Sequence, residues 1–176
     1  MPMIYKVLFA MIAQLNWEIE QLNVKTAFLY GILDEDVYVE MPIDYFEENL
    51  VCKLNKALYG LKQAPRVWFR TLTKFLVSLG YHVVRENPSV YRNPETGIFV
   101  AIYVDDLLVF EANKTAIQEL KDQLSKRFKM TGLGPVAAYY LGLEVVRDRF
   151  KSHHSPQPKD VSAIDSEGSK YDGPSR

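Results

Sequence analysis

Cysteine is nearly missing from this chain of 176 residues: Cys52 is the single one. One thiol leaves no disulfide framework and no zinc knuckle, suits a reducing compartment, and reads as a small apolar core residue. There is no run of about 18 uncharged apolar residues, which excludes a spanning helix. Lys6 and the apolar stretch 7–13 imitate the start of a signal peptide, but Gln14, Leu15 and Asn16 offer no small-residue cleavage site. The spacing of Ile4, Val7, Leu8, Met11 and Leu15 reads instead as one buried stripe of a helix. Internal repeats of 20 to 50 residues are also missing, so a solenoid is excluded. With 48% hydrophobic residues, 11 Tyr, 9 Phe and 2 Trp, the chain can bury one real core.

Charge of one sign is lacking overall, with a net value of −1, but it is segregated along the chain. Residues 26–52 carry the acids Asp34, Glu35, Asp36, Glu40, Asp44, Glu47 and Glu48 and no Lys or Arg. Residues 49–85 invert this, with Lys53, Lys56, Lys62, Arg66, Arg70, Lys74 and Arg85 and no acid. The basic block reads either as an electrostatic strip facing a nucleic-acid template or as a solvated surface pairing with the acidic block.

Periodicity places strands at 17–24, 37–41 and 51–54. A helix follows, with Pro65 in its first turn, Trp68, Leu72, Phe75, Leu76 and Leu79 on its apolar face and Gly80 ending it. Arg66, Arg70 and Lys74 are four apart and share its outer face. Strands at 90–92, 98–103 and 107–110 come next, then a helix capped by Asn113 that buries Ile117, Leu120, Leu124 and Phe128. A last strand, 139–146, is interrupted by Gly142. Residues 150–176, rich in Ser and Pro, read as a disordered polar tail in which His153 and His154 have no metal role. The order predicts an α+β domain over 1–149, with helices on one face of an antiparallel sheet, followed by the tail over 150–176.

The chemistry concentrates where two apolar strands flank Asp105 and Asp106, which puts an acid pair at a hairpin tip able to offer hard oxygen ligands to a divalent metal. Turn chemistry alone explains a bare Asp-Asp. Tyr103-Val104-Asp105-Asp106, however, resembles the Tyr-x-Asp-Asp box of reverse transcriptases. Three further segments resemble the copia-type retrotransposon branch: Gln21 to Gly31 with its Asn-Val-Lys-Thr-Ala-Phe-Leu core, Leu54 to Phe69 with its Leu-Tyr-Gly-Leu-Lys-Gln-Ala-Pro-Arg box, and Leu133-Gly134-Pro135 followed by Tyr140 to Val145. The motifs fall in the family's order, over roughly residues 3–149.

The resemblance implies a palm-like sheet with partial fingers, and primer extension on an RNA or DNA template from deoxynucleoside triphosphates. Two Mg²⁺ or Mn²⁺ ions would serve it, held by Asp105, Asp106 and an early-strand acid, with Asp105 bridging toward the metals. At that early position this chain has Asn23, which puts an NH2 donor where a carboxylate oxygen should face a cation. By resemblance Phe28 lies under the incoming sugar, Gln63 and Tyr103 line the nucleotide and primer terminus, Lys25 meets phosphate, and Lys62, Arg66, Arg70 and Lys74 line the template-primer path. The chain starts just ahead of the first catalytic strand and stops before a thumb, the mark of a truncated element inactive by itself. Its setting is expected to be intracellular and cytoplasmic, with no membrane partner. Two other readings stand beside it: a non-catalytic nucleic-acid-binding remnant, and an unrelated metal-dependent nuclease drawing a third acid from Glu111 or Glu144.

Overall fold

Val100-Ala101-Ile102 and Leu107-Leu108-Val109-Phe110 are apolar without alternation, so strands that carry them need cover on both faces. A computed structural model, which describes residues 3–135, 139–140, 143–147 and 161–164, supplies that cover. In chain order it contains α1 (Met3–Leu15), β1 (Glu18–Val24), β2 (Ile32–Glu40), β3 (Val51–Lys56), α2 (Ala64–Ser78), β4 (His82–Val84), β5 (Asn87–Arg92), β6 (Phe99–Tyr103) and β7 (Asp106–Glu111). These are followed by α3 (Lys114–Arg127), β8 (Met130–Pro135), β9 (Tyr139–Tyr140), β10 (Leu143–Arg147) and β11 (Val161–Ile164).

The main sheet has six antiparallel strands in the order β4-β5-β6-β7-β1-β8. Leu22, Val24, Val100, Ile102, Leu107 and Val109 point to one face, where they meet Trp68, Leu72 and Leu76 of α2 and Ile117, Leu120 and Leu124 of α3. The alternate residues Ile19, Ala101, Leu108 and Phe110 point the other way and meet Leu8, Phe9 and Ile12 of α1. The mixed α+β class holds, but the expectation of helices on one face does not. A sheet whose central strands are apolar on both sides requires a layer on each, and α1 supplies the second.

Local chemistry sets the helix ends. Asn16 adopts φ 51 after α1, and the Trp17 N–H reaches back to the Ile12 carbonyl at 3.1 Å. Gly80, at φ 85, ends α2 in the same way, with the Gly80 N–H on Val77 O (3.0 Å) and the Tyr81 N–H on Leu76 O (3.1 Å), the paired bonds of a Schellman close. The Asn113 side chain caps α3 by accepting from the Thr115 N–H at 2.9 Å. Gly31 is required by close approach: a Cβ there would lie 2.8 Å from Cγ1 of Val67 on α2.

Some elements differ from expectation. β2 begins at Ile32 rather than 37, and pairs with β3 in a separate two-stranded ribbon. Neither β4 nor β8 is signalled by periodicity; the Met-Thr-Gly-Leu-Gly-Pro sequence of β8 carries almost no strand preference yet completes the sheet beside β1. Inside the expected tail, Val161–Ile164 pairs with β10 as a short strand; the rest of 150–176 lies outside the described residues. Among the described residues no helix is long and apolar enough to cross a membrane.

Tyr81, directly after the α2 close, is 3% exposed. Its burial pushes the phenol up from the ordinary 10 to about 12, against a smaller opposing effect of the hydrogen bond with Thr96. Between these values the unfolded chain gives up the proton while the folded chain keeps it, so stability that is complete below pH 10 drains away as pH rises toward 12. Tyr81→Phe should therefore flatten the fall of Tm across that window in a thermal-denaturation series; parallel curves for the two proteins would show that Tyr81 does not carry this loss.

Candidate functional site: the Asp105-Asp106 hairpin

β6 and β7 are joined by a two-residue turn: Tyr103 pairs with Asp106, leaving Val104 and Asp105 as the loop. Val104 sits at φ 54. Such turns normally place Gly, Asn or Asp at positive φ, and a β-branched residue there costs on the order of 1 to 3 kcal/mol, which the surroundings must hold. Two hydrogen bonds do so. The indole N–H of Trp68, on α2, donates to the Val104 carbonyl at 2.7 Å, and the Val24 N–H donates to the Asp105 carbonyl at 2.9 Å. The hairpin is thus fastened from below by a helix and from the side by β1.

β1 runs antiparallel to β7 in a register that sets Asn23 directly opposite Asp106, with side chains on the same face. Asn23 Nδ2 donates to Asp106 Oδ1 at 3.1 Å. Gln21, two residues back on that face, adds a weaker bond from Nε2 to the same oxygen at 3.5 Å. Gln21 is 7% exposed, and its Oε1 is buried without a hydrogen-bond partner among the described residues. The amides are therefore oriented by the carboxylate, because turning Gln21 over would aim oxygen at oxygen. The residue facing Asn23 is Asp106, whereas the sequence resemblance puts Asp105 at the head of the site; among the described residues no side-chain hydrogen bond reaches the Asp105 carboxylate.

The remaining candidates scatter. Tyr103 is 43% exposed at the end of β6, beside the acid pair. Phe28 is buried in the main core, its ring 4.5 Å between centroids from Tyr59. Lys25 is exposed next to the β1 end, and its N–H is fixed to the Lys129 carbonyl at 2.8 Å. Gln63 precedes α2 without capping it through its side chain. Lys62, Arg66, Arg70 and Lys74 are all exposed. Arg70 is ion-paired with Asp34, and Lys53 with Asp36 at 2.7 Å, so the acidic and basic blocks do pair at these two points. Among the described residues Lys62, Arg66 and Lys74 have no ion pair.

Glu111 stands at the far end of β7, opposite Glu18 rather than beside the hairpin, and the side chain of Glu144 lies outside the described residues. Among the described residues no three His, Cys, Asp or Glu side chains gather to hold a metal ion, and Glu111 does not serve as the third acid of a nuclease reading. Gly142 and the Leu133-to-Val145 side chains likewise lie outside what is described. Sequence reasoning assigns no role to Gln21 or to the Trp68 indole. The first has a signal, an amide two residues before Asn23 on one strand face; the second is a contact across 36 residues that no spacing rule reveals.

A family model described as reverse transcriptase (RNA-dependent DNA polymerase) matches residues 3–153. The Retrovirus-related Pol polyprotein from transposon TNT 1-94 of Nicotiana tabacum is 45% identical over 151 residues, which cover 82% of this chain and 11% of that polyprotein. The corresponding polyprotein from transposon RE1 of Arabidopsis thaliana is 39% identical over 137 residues, 75% of this chain and 9% of the relative. The Transposon Ty1-DR1 Gag-Pol polyprotein of Saccharomyces cerevisiae is 32% identical over 143 residues, 77% of this chain and 8% of the relative. The chain spans about a tenth of the length of these curated relatives.

Trp68→Phe keeps an aromatic ring at a fully buried place, though a smaller one, and deletes the donor to Val104. It should cost about 1 to 2 kcal/mol in chemical denaturation and speed amide exchange at Val24 and Asp106. Unchanged exchange at those two amides would mean that the indole does not hold the turn.

Proposed function

Since the chain belongs to the reverse transcriptase (RNA-dependent DNA polymerase) family, as the reverse transcriptase domain of Ty1/copia-type Pol polyproteins, we propose that residues 1–149 are a palm-like unit with partial fingers in which Asn23 has disabled metal-dependent nucleotidyl transfer. The observation that carries this reading is the 3.1 Å bond from Asn23 Nδ2 to Asp106 Oδ1: an amide donor occupies a carboxylate lone pair where a cation would bind.

In the family's reaction, two Mg²⁺ or Mn²⁺ ions would activate the primer hydroxyl and hold the triphosphate. The donor set here does not fit two such ions. It offers the carboxylates of Asp105 and Asp106 but no third anion among the described residues, and one Asp106 oxygen already accepts from two amides. Hard dications require anionic oxygen, so no catalytic step follows from these residues as they stand. What the chain retains is the framework for nucleic acid. Lys62, Arg66 and Lys74 are exposed and free of ion pairs among the described residues, on the surface proposed to line a template-primer. Lys25, Gln63 and Tyr103 are assigned to nucleotide and primer terminus, Phe28 to the floor beneath the sugar. Arg70, held by Asp34, contributes less. These exposed bases favour a second reading, a nucleic-acid-binding remnant without chemistry, whose mark is RNA retention that falls steeply with salt.

Asn23→Asp separates the two. In metal-free buffer it replaces a charge-assisted hydrogen bond with two facing carboxylates, and stability should fall by about 2 kcal/mol. Mn²⁺ should restore Tm in the variant and leave the parent chain unmoved. Placed within a longer relative and assayed on a primed RNA template, the segment carrying Asn23→Asp should extend primer faster than the unsubstituted segment by about 10² or more. Equal extension rates, together with equal Mn²⁺ affinities, would overturn the assignment of position 23 to the metal site.

A further inference from the structure

The ribbon of β2 and β3 stands apart from both cores. None of residues 34–56 belongs to either apolar cluster, and a two-stranded ribbon in water has little stability by itself. Its root is tied to the body by the Arg70–Asp34 ion pair and by the Ala57 N–H on the Gly31 carbonyl. Its far end is bare: Ile43 is 93% exposed, Tyr45 73% and Phe46 69%, with Leu50 and Val51 also open. Scattered exposed apolar residues need no explanation, but five within nine positions at one loop end form a contact surface. Around them lie Asp44, Glu47 and Glu48, exposed and without an ion pair among the described residues.

The opposite chemistry lies on α2 and the loop before it. Lys62, Arg66 and Lys74 are exposed, and Leu58 and Tyr59, in the loop just before α2, are also open. Within one molecule the paired part of the ribbon, Ile32 to Glu40 against Val51 to Lys56, carries its end roughly 17 Å from its root at about 3.3 Å per residue, and the acids at that end make no ion pair with the strip among the described residues. We propose that the end of the β2–β3 ribbon docks on the basic strip of a second copy of this chain. Exchange in both directions gives a closed two-fold dimer, each ribbon end laying its apolar residues on the partner copy's Leu58–Tyr59 region and its acids against the partner copy's bases.

Two charge-reversed full-length chains test this. One carries Asp44→Lys, Glu47→Lys and Glu48→Lys; the other carries Lys62→Glu, Arg66→Glu and Lys74→Glu. All six positions are exposed, so circular dichroism and Tm should match the parent. By sedimentation, the parent should show a monomer–dimer equilibrium that weakens as salt rises, and each reversed chain alone should associate at least about tenfold more weakly. An equimolar mixture of the two should dimerise again, because each ribbon end then meets a strip of opposite sign. A parent chain that stays monomeric at low salt, or a mixture that fails to associate, overturns the proposal, as does a dimer indifferent to both reversals. RNA retention by a chain carrying Asp44→Asn, Glu47→Gln and Glu48→Gln, which adds no cation and leaves the strip intact, tests the nucleic-acid reading separately, so the two can fail independently.

Discussion

The antiparallel register between β1 and β7, running from Glu18 against Glu111 to Asn23 against Asp106, is the constraint on which the rest of the arrangement depends. Side chains alternate along a strand, so a slip by one residue would turn Asn23 into the core and bring Val24 to face the acids. Burial fixes the register: Leu22 and Val24 are wanted among α2 and α3, while Ile19 is wanted beneath α1. Everything at the hairpin inherits this. The Val24 N–H can hold the Asp105 carbonyl, and the amides of positions 21 and 23 can reach one oxygen of Asp106, only in that alignment. The site is thus positioned by hydrophobic burial on both sides of the sheet, and its polar contacts are consequences.

An amide at position 23 changes the energetics of the hairpin as much as its chemistry. Two carboxylates facing each other without a metal between them repel, and one would have to take up a proton or be neutralised by a cation. Asn23 converts that repulsion into a charge-assisted hydrogen bond, with no cation required. On the proposed reading, the chain exchanges an electrostatic liability that a catalytic site tolerates for local stability, the usual direction of the trade between activity and stability. The strained Val104 stays in place under either residue, because it is held by Trp68 and by backbone bonds rather than by charge.

Much of this was legible in the sequence. The Asn113 cap, the Gly80 close and the apolar faces of α2 and α3 are local signals, and local physics decides them. The hairpin was legible because two unbroken apolar runs flank its adjacent acids, and the family motifs pointed to Asn23 as the odd position. What escaped was set by distant partners. β8 forms from a segment with two glycines and a proline because the open edge of β1 offers it hydrogen bonds, not because its residues prefer strand. Phe28 lies in the core with its ring against Tyr59, a contact between loops that no periodicity encodes. The second helical layer was implied by the unbroken apolar runs of β6 and β7, but its identity as α1 required the topology.

The net charge of −1 conceals a spatial separation that linear counting only half reveals. At the root of the ribbon the acidic and basic blocks meet, and Arg70 with Asp34 and Lys53 with Asp36 neutralise one another. Such exposed pairs add little stability; Lys53–Asp36 lies within the ribbon, and Arg70–Asp34 joins it to α2. Beyond them the sequence keeps adding acids while the strands carry them away from the strip. Along a ribbon whose paired part is roughly 17 Å long, beyond the screening length of about 10 Å at ordinary ionic strength, the charges at its end and those at its root attract each other weakly. Their complementarity has no use within the chain; it acts only at contact distance, on a surface brought by another molecule.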